Sequence, residues 1–153
     1  PGRFSIRFFL AAGAFCFCFW VGDLLRITGN RKTEQKYLRN VTLLYEGQKI
    51  KTRGLIDTGN HLTAPASGIP VHVATAELMK RLCPVVKGVM YVPYRCVGSS
   101  GILPAVRIDE MKVEGEKDSF VIPKPWIAIT KGSLSPCDEY EVLIQKNDEG
   151  MQV

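Results

Sequence analysis

The sequence predicts a mostly β domain, a closed β-barrel with one short helix, preceded by a transmembrane helix. Three observations predict it. From Val41 onward, short β-type runs alternate with turn residues at close spacing, a pattern of closed or sandwiched β architectures rather than of a parallel α/β sheet. One segment in that region, TAELMKRL, carries helix signals. Ahead of both, FFLAAGAFCFCFWVG (Phe8 to Gly22) runs fifteen residues without a charge.

That apolar run is short of the ~20 residues needed to cross a bilayer. Leu24, Leu25 and Ile27 extend it, with Arg7 and Arg26 long enough to reach the interfaces. A secretory signal is disfavoured, because the small-residue cleavage pattern is missing and no initiator Met opens the chain. The opening Pro1-Gly2 is read as belonging to the C-terminal piece of a longer protein. The run is therefore expected to be the last transmembrane helix. The heavier Lys/Arg load after it places the C-terminal domain on the cytoplasmic side. The expected organisation is residues 1–26 as the end of a membrane domain, 27–40 as a basic linker, 41–146 as the β-domain and 147–153 as a flexible tail.

Within the β-domain, VTLLYE and KIKTRGLID flank Gly47-Gln48 and read as a hairpin that delivers Asp57 to the end of its second strand. IPVHVA follows as a strand. The helix comes next, with Thr75 as N-cap, Glu77 in the first turn and Pro84 just past the end. VMYVPYRCV, ILPAVRI, MKVEG, DSFVI, WIAIT and YEVLIQ complete the strands. Gly98 to Gly101 and Glu114 to Glu116 lie between strands as turns.

Composition excludes several functions. With 20 Lys and Arg against 15 Asp and Glu, the net charge of +5 is a mild excess concentrated between Arg26 and Asn40. It suits an acidic protein or membrane surface, and no interleaved aromatic residues point to direct nucleic-acid binding. Five cysteines, at 16, 18, 83, 96 and 137, form no CxxC pair, and His61 and His72 are isolated. No metal site and no cofactor is expected, and reduced, structural cysteines favour a cytosol-facing domain.

The chemistry rests on Asp57-Thr58-Gly59. Peptide hydrolysis by aspartate needs two carboxylates sharing one proton, one acting as base on a water while the other donates to the carbonyl. Asp57 is the candidate catalytic acid. Thr58 is expected to lock the loop through its hydroxyl, and Gly59 to allow a tight turn with backbone N–H groups near the carboxylate. Taken alone, a bare Asp-Thr-Gly reads as an ordinary turn. The surrounding hairpin, the apolar Leu55 and Ile56 before it and the all-β remainder favour the catalytic reading. Asp109, Asp118, Asp138 and Asp148 all lack a following Thr/Ser-Gly, so a two-lobed single-chain enzyme is excluded. A catalytic Asp57 requires Asp57 of a second copy across a two-fold axis, hence a homodimer. Asp23, in WVGDLL, lacks the Gly-x-Gly-Asp setting of intramembrane aspartyl peptidases and reads as a flanking charge.

The hairpin, triplet and β remainder are the arrangement of retroviral-type aspartic peptidases, so the barrel is expected to be retropepsin-like. LIDTGNHLTAPASGIPVHVA, followed by VPYRCVGSSGILPAVRIDEMKV, further resembles the membrane-bound peptidases that process the pro-form of sporulation sigma-E factor in endospore-forming bacteria. Asn60 after the triplet, Pro65, Pro70-Val71 and the segment Pro93 to Gly98 carry the likeness. The resemblance implies a membrane-tethered aspartic peptidase, dimeric, in the mother-cell membrane with its catalytic domain facing the cytoplasm. It also implies a pro-sigma-E-like sigma factor as substrate and a forespore-derived signalling protein as activator. Asp57 would be catalytic, and Thr58, Gly59 and Asn60 would form its loop. Retroviral-type enzymes place two apolar residues before a late Gly, behind the active loop. The nearest match here is Ile127-Ala128-Ile129 ahead of Gly132. Val97 to Gly101 could serve as a flap, although an ordinary turn is the simpler reading. The alternative to an enzyme is a non-catalytic, membrane-tethered binding or signalling domain on the same barrel; a periplasmic β-domain is a third reading.

Overall fold

The computed structural model describes residues 37–96, 99–115, 119–135 and 137–146. The apolar run expected to span the membrane, most of the basic linker, the tail from residue 147, Cys16, Cys18, Asp118 and Asp148 lie outside them. Among the described residues no helix is long and apolar enough to cross a membrane.

Nine strands and one helix follow in order: β1 (Leu38–Tyr45), β2 (Gln48–Asp57), β3 (Val71–Thr75), α1 (Ala76–Leu82), β4 (Val89–Cys96), β5 (Ser99–Arg107), β6 (Glu110–Glu114), β7 (Ser119–Pro123), β8 (Trp126–Thr130) and β9 (Val142–Gln145). Each segment expected to be a strand is one. The strands form a single sheet in the order β4-β5-β8-β3-β9-β2-β1-β6-β7. β2 with β9 and β3 with β8 run parallel, and the other neighbours antiparallel. The barrel is not closed as expected. β4 and β7 are edges at opposite ends of the order, so the sheet curls into a half-barrel.

Local chemistry sets these elements. The first hairpin turns through Glu46 (φ 45°) and Gly47 (φ 83°), both left-handed, as the tight two-residue turn of a twisted hairpin demands. The turn lies one residue earlier than the sequence suggests, and Gln48 pairs with Tyr45 as the first residue of β2. The helix starts as read. Thr75 Oγ1 accepts from Leu78 N at 3.3 Å, Glu77 lies in the first turn, and Lys80 and Arg81 lie in the last. Its Leu78, Met79 and Leu82 are buried.

Period-two alternation sorts the strand residues onto two faces. One face, with α1 against it, builds the larger core around Leu43, Leu78, Leu82, Met111, Ile127 and Ile144. Each such side chain contributes about 1.5–3 kcal/mol through burial. The other face carries a smaller cluster of Ala64, Val71, Val73, Val92, Ala105 and Ala128. In β2, Gly54 and Ile56 are buried while Leu55 and Asp57 are half-buried, so Asp57 faces away from the larger core.

Gly54 is the tightest point. A Cβ there would lie 2.7 Å from Val41 Cγ2, 3.0 Å from Ile144 Cδ1 and 3.3 Å from the Val142 carbonyl oxygen. Gly54→Ala should cost about 1–3 kcal/mol by overpacking β1 against β9. Gly47→Ala meets open space but a left-handed backbone, so it should cost about 1–2 kcal/mol through strain alone. Urea unfolding of the two variants, with an unchanged m-value, checks both.

Candidate active site

Asp57 is the last residue of β2, opposite Gln145 of the parallel β9. It is half-buried at the edge of a cleft of about 570 Å³. Asp57 Oδ1 accepts from Gly59 N at 2.8 Å, so the turn after the strand folds back onto the carboxylate. Such a bond fixes the direction of the group. A Cβ on Gly59 would come to 3.3 Å from that same oxygen, tighter than most contacts of its kind. Glycine therefore serves close approach here as well as turn geometry.

The loop is anchored one residue further on. Asn60 Nδ2 donates to the Val71 carbonyl at 3.1 Å, and Asn60 Oδ1 accepts from Leu62 N at 3.0 Å. Beyond it, Thr63 and Pro70 form an isolated bridge, while Gly68 N and Ser67 N both donate to the Ala64 carbonyl, at 2.9 and 3.2 Å. The chain thus leaves Asp57, makes a pinned excursion and returns as β3 on the far side of β9. Thr58 is exposed, and its hydroxyl makes no hydrogen bond among the described residues, so Asp57 and Asn60 do the locking.

The cleft floor is apolar, from Leu62, Val73, Leu103, Leu134 and Leu143. Pro93, Tyr94 and Arg95 supply a wall from β4, directly before the candidate flap, whose tip residues 97 and 98 lie outside the described chain. Tyr94 pairs with Gly101 across that hairpin. A Cβ on Gly101 would meet the Tyr94 ring at 2.8 Å, so the ring lies over the glycine and its position is set by that vacant side. His61 and Arg95 are the basic side chains at the cleft, and Asp57 is its one carboxylate among the described lining residues.

Two other aspartates are tied elsewhere. Asp109 Oδ2 accepts from Glu46 N at 2.6 Å, and Asp109 N donates to the Leu44 carbonyl at 3.0 Å, bracing the first hairpin turn. Asp138 Oδ1 accepts from Ser133 Oγ at 2.6 Å in the loop before β9. Among the described residues no three His, Cys, Asp or Glu side chains group as metal ligands. Cys83 is a buried free thiol and Cys137 an exposed one. The strand beside β2 at Asp57 is β9, through Leu143 and Ile144. The segment Ile127 to Ile129, expected behind the active loop, pairs instead with β3 and β5.

A model of the family described as Peptidase_U4, sporulation factor SpoIIGA, matches residues 3–147. The chain belongs to that family. It is 26% identical over 132 residues to the "Sporulation sigma-E factor-processing peptidase" of Priestia megaterium, covering 70% of this chain and 42% of the relative. It is 24% identical over 150 residues to the "Probable sporulation sigma-E factor-processing peptidase" of Clostridium acetobutylicum, covering 95% of this chain and 54% of the relative. The chain spans about half the length of these curated relatives. No solved structure matches it.

For this family member, the sequence does not disclose the cleft wall and floor. Pro93 to Arg95 lie within a segment that carries the family likeness, whereas Leu134 and Leu143 carry no local signal. Nor does the sequence mark His72, which is buried and accepts from Gln145 N through Nδ1 at 3.1 Å. The proton of the neutral ring is therefore on Nε2. Burial lowers the His72 pKa to about 4 from 6.5. Because the folded value is depressed, the unfolded chain binds the extra proton first. Stability is full above pH 6.5 and falls as pH drops toward 4, by about 3 kcal/mol at most. Chemical unfolding across pH 4–7 should show this slope, and His72→Gln should flatten it.

Proposed function

We propose that this chain carries half of an aspartic endopeptidase active site, completed by Asp57 of a second copy. The observation that supports this is the lone carboxylate: Asp57 stands on the cleft with an oriented oxygen and no acidic neighbour among the described residues lining it. A single carboxylate can act as base on water but has no companion to donate a proton to the carbonyl. Two Asp57 groups meeting across a two-fold axis would share a proton, hold the water between them and reverse roles as the amine leaves. The exposed Thr58 and the open side of the cleft leave room for that approach.

The substrate is a protein, the pro-form of a sporulation sigma factor, whose N-terminal pro-segment is removed. The names carried by the relatives support this choice. The apolar floor suits aliphatic side chains of an extended substrate, and Tyr94 and Arg95 border it. Phe8 to Gly22 anchors the chain in the mother-cell membrane, with the β-domain on the cytoplasmic side and a forespore-derived signalling protein as activator. Confinement to two dimensions raises the effective concentration of the second copy, so a modest interface is enough.

Asp57→Asn in the membrane-embedded protein should abolish processing of a co-expressed sigma-factor precursor, with about a 10⁴-fold or larger loss, while near-ultraviolet circular dichroism stays unchanged. Processing at the normal rate by Asp57→Asn would sink the reading. The dimer is tested separately. Disulfide crosslinking of a Thr58→Cys chain should link two copies, and failure to crosslink under conditions that support cleavage would remove the shared site.

A further inference from the structure

A second cavity, of about 300 Å³, lies on the face of the sheet opposite Asp57. The two cavities share a wall one residue thick. Ile56 lines the rear cavity and Asp57 the cleft; Ile144 lines the rear and Leu143 the cleft; His72 lines the rear and Val73 the cleft. Strand alternation alone makes this arrangement, since neighbours in β2, β9 and β3 point to opposite faces.

Three properties define what the rear cavity takes. Its walls are apolar: Ile56, Ile144 and Pro70 on one side, and Phe120, Ile122 and Pro125 on the other. Its charged lining is entirely cationic, from Arg107, Lys124 and Lys146, with no carboxylate among the described lining residues. Arg107 is held in place, with its guanidinium over the Trp126 ring at 5.8 Å and Nε donating to the Lys124 carbonyl at 3.0 Å. Finally, the cavity borders β7, an edge strand whose outer side pairs with no strand among the described residues. Val121 there is 49% exposed, and Ile69 across the opening is 42% exposed.

An unpaired strand edge offers backbone donors and acceptors to an extended chain. Pro123 and the left-handed Lys124 (φ 49°) end that edge, so only Ser119 to Ile122 can pair. Recognition then depends on side chains entering the cavity and on charge at its rim. We propose that this rear cavity binds an extended acidic peptide segment of a partner protein, with an apolar side chain in the pocket and carboxylates against Arg107, Lys124 and Lys146. The segment would lie along β7, in the opening left by the half-barrel. This site is separate from the cleft and does not rest on the peptidase reading.

The test uses the whole 153-residue chain in detergent, carrying Asp57→Asn so that no probe is cut. The probe is a fluorescein-labelled octapeptide alternating Glu with Leu, Ile or Phe; a counterpart has Lys for every Glu. Anisotropy should show saturable binding of the acidic probe that weakens as salt rises. Lys124→Glu with Lys146→Glu, both exposed positions, should weaken it about tenfold or more, because rim charges then repel it. Arg95→Glu, at the other cavity, should leave it unchanged. Amide exchange should slow at Ser119 to Ile122 on binding. The proposal is overturned by absent saturation, by equal binding of the Lys probe, by indifference to the rim variants, or by loss of binding in Arg95→Glu alone.

Discussion

Gly54 lets the side chains of Val41 in β1 and Ile144 in β9 close over β2, and the register of the strand that bears Asp57 depends on that packing. Val41 Cγ2 and Ile144 Cδ1 fill the space where a Cβ would stand, and β2 is paired on both sides at Gly54 and Leu55, just before Asp57. A strand held so closely on both sides cannot slip by one residue without moving Ile56 out of the core and Asp57 into it. Burying that carboxyl group unpaired in the core would cost several kcal/mol, a large share of the stability margin of an ordinary domain. Register at Gly54 therefore decides which face bears the acid.

The loop after Asp57 works on the same constraint at shorter range. Gly59 closes on Oδ1 because it has no side chain to obstruct it, and Asn60 ties the turn to β3 through the Val71 carbonyl. Val71 N in turn donates to Gln145 Oε1 at 3.2 Å, and Gln145 N donates to His72 Nδ1. The carboxylate is thus oriented by a chain of bonds running through β3 and β9, all from neutral groups. Neutral His72 fits that chain because an imidazolium there would lose its acceptor and turn a donor against the Gln145 amide. Its lowered pKa and its hydrogen bond express the same burial.

Much of this is legible in the sequence, because the signals involved are local. Short β-type runs between turn residues mark the strands, and Thr75, Glu77 and Pro84 mark the helix. The apolar residues before Asp57 and the Gly after it place the acid at a strand end. What escapes is long-range. Nothing near Val142 announces that β9 will run parallel to β2 from the other end of the domain, since parallel partners share no turn. Closure of the barrel is not readable either, because strand count does not say whether the first and last edges meet. A locking role for Thr58 rests on its hydroxyl alone, but the acceptor that ties the loop lies on the other side of the turn, where Asn60 reaches it.

The half-barrel and the half-site have a common physical logic. A closed barrel would cover β7 and fill the rear cavity, leaving the Asp57 strand pinned from both faces. An open one keeps a wall of single residues between two accessible spaces. In the aspartic mechanism proposed above, the acid also cannot act alone. Two like charges about 3 Å apart repel by about 5 kcal/mol at an effective dielectric near 20, and sharing one proton removes that repulsion while creating the acid–base pair. Under that proposal, the association that completes the site would also select its protonation state. Small displacements of β2, through Ile56 or Ile144, would change the separation on which that selection depends.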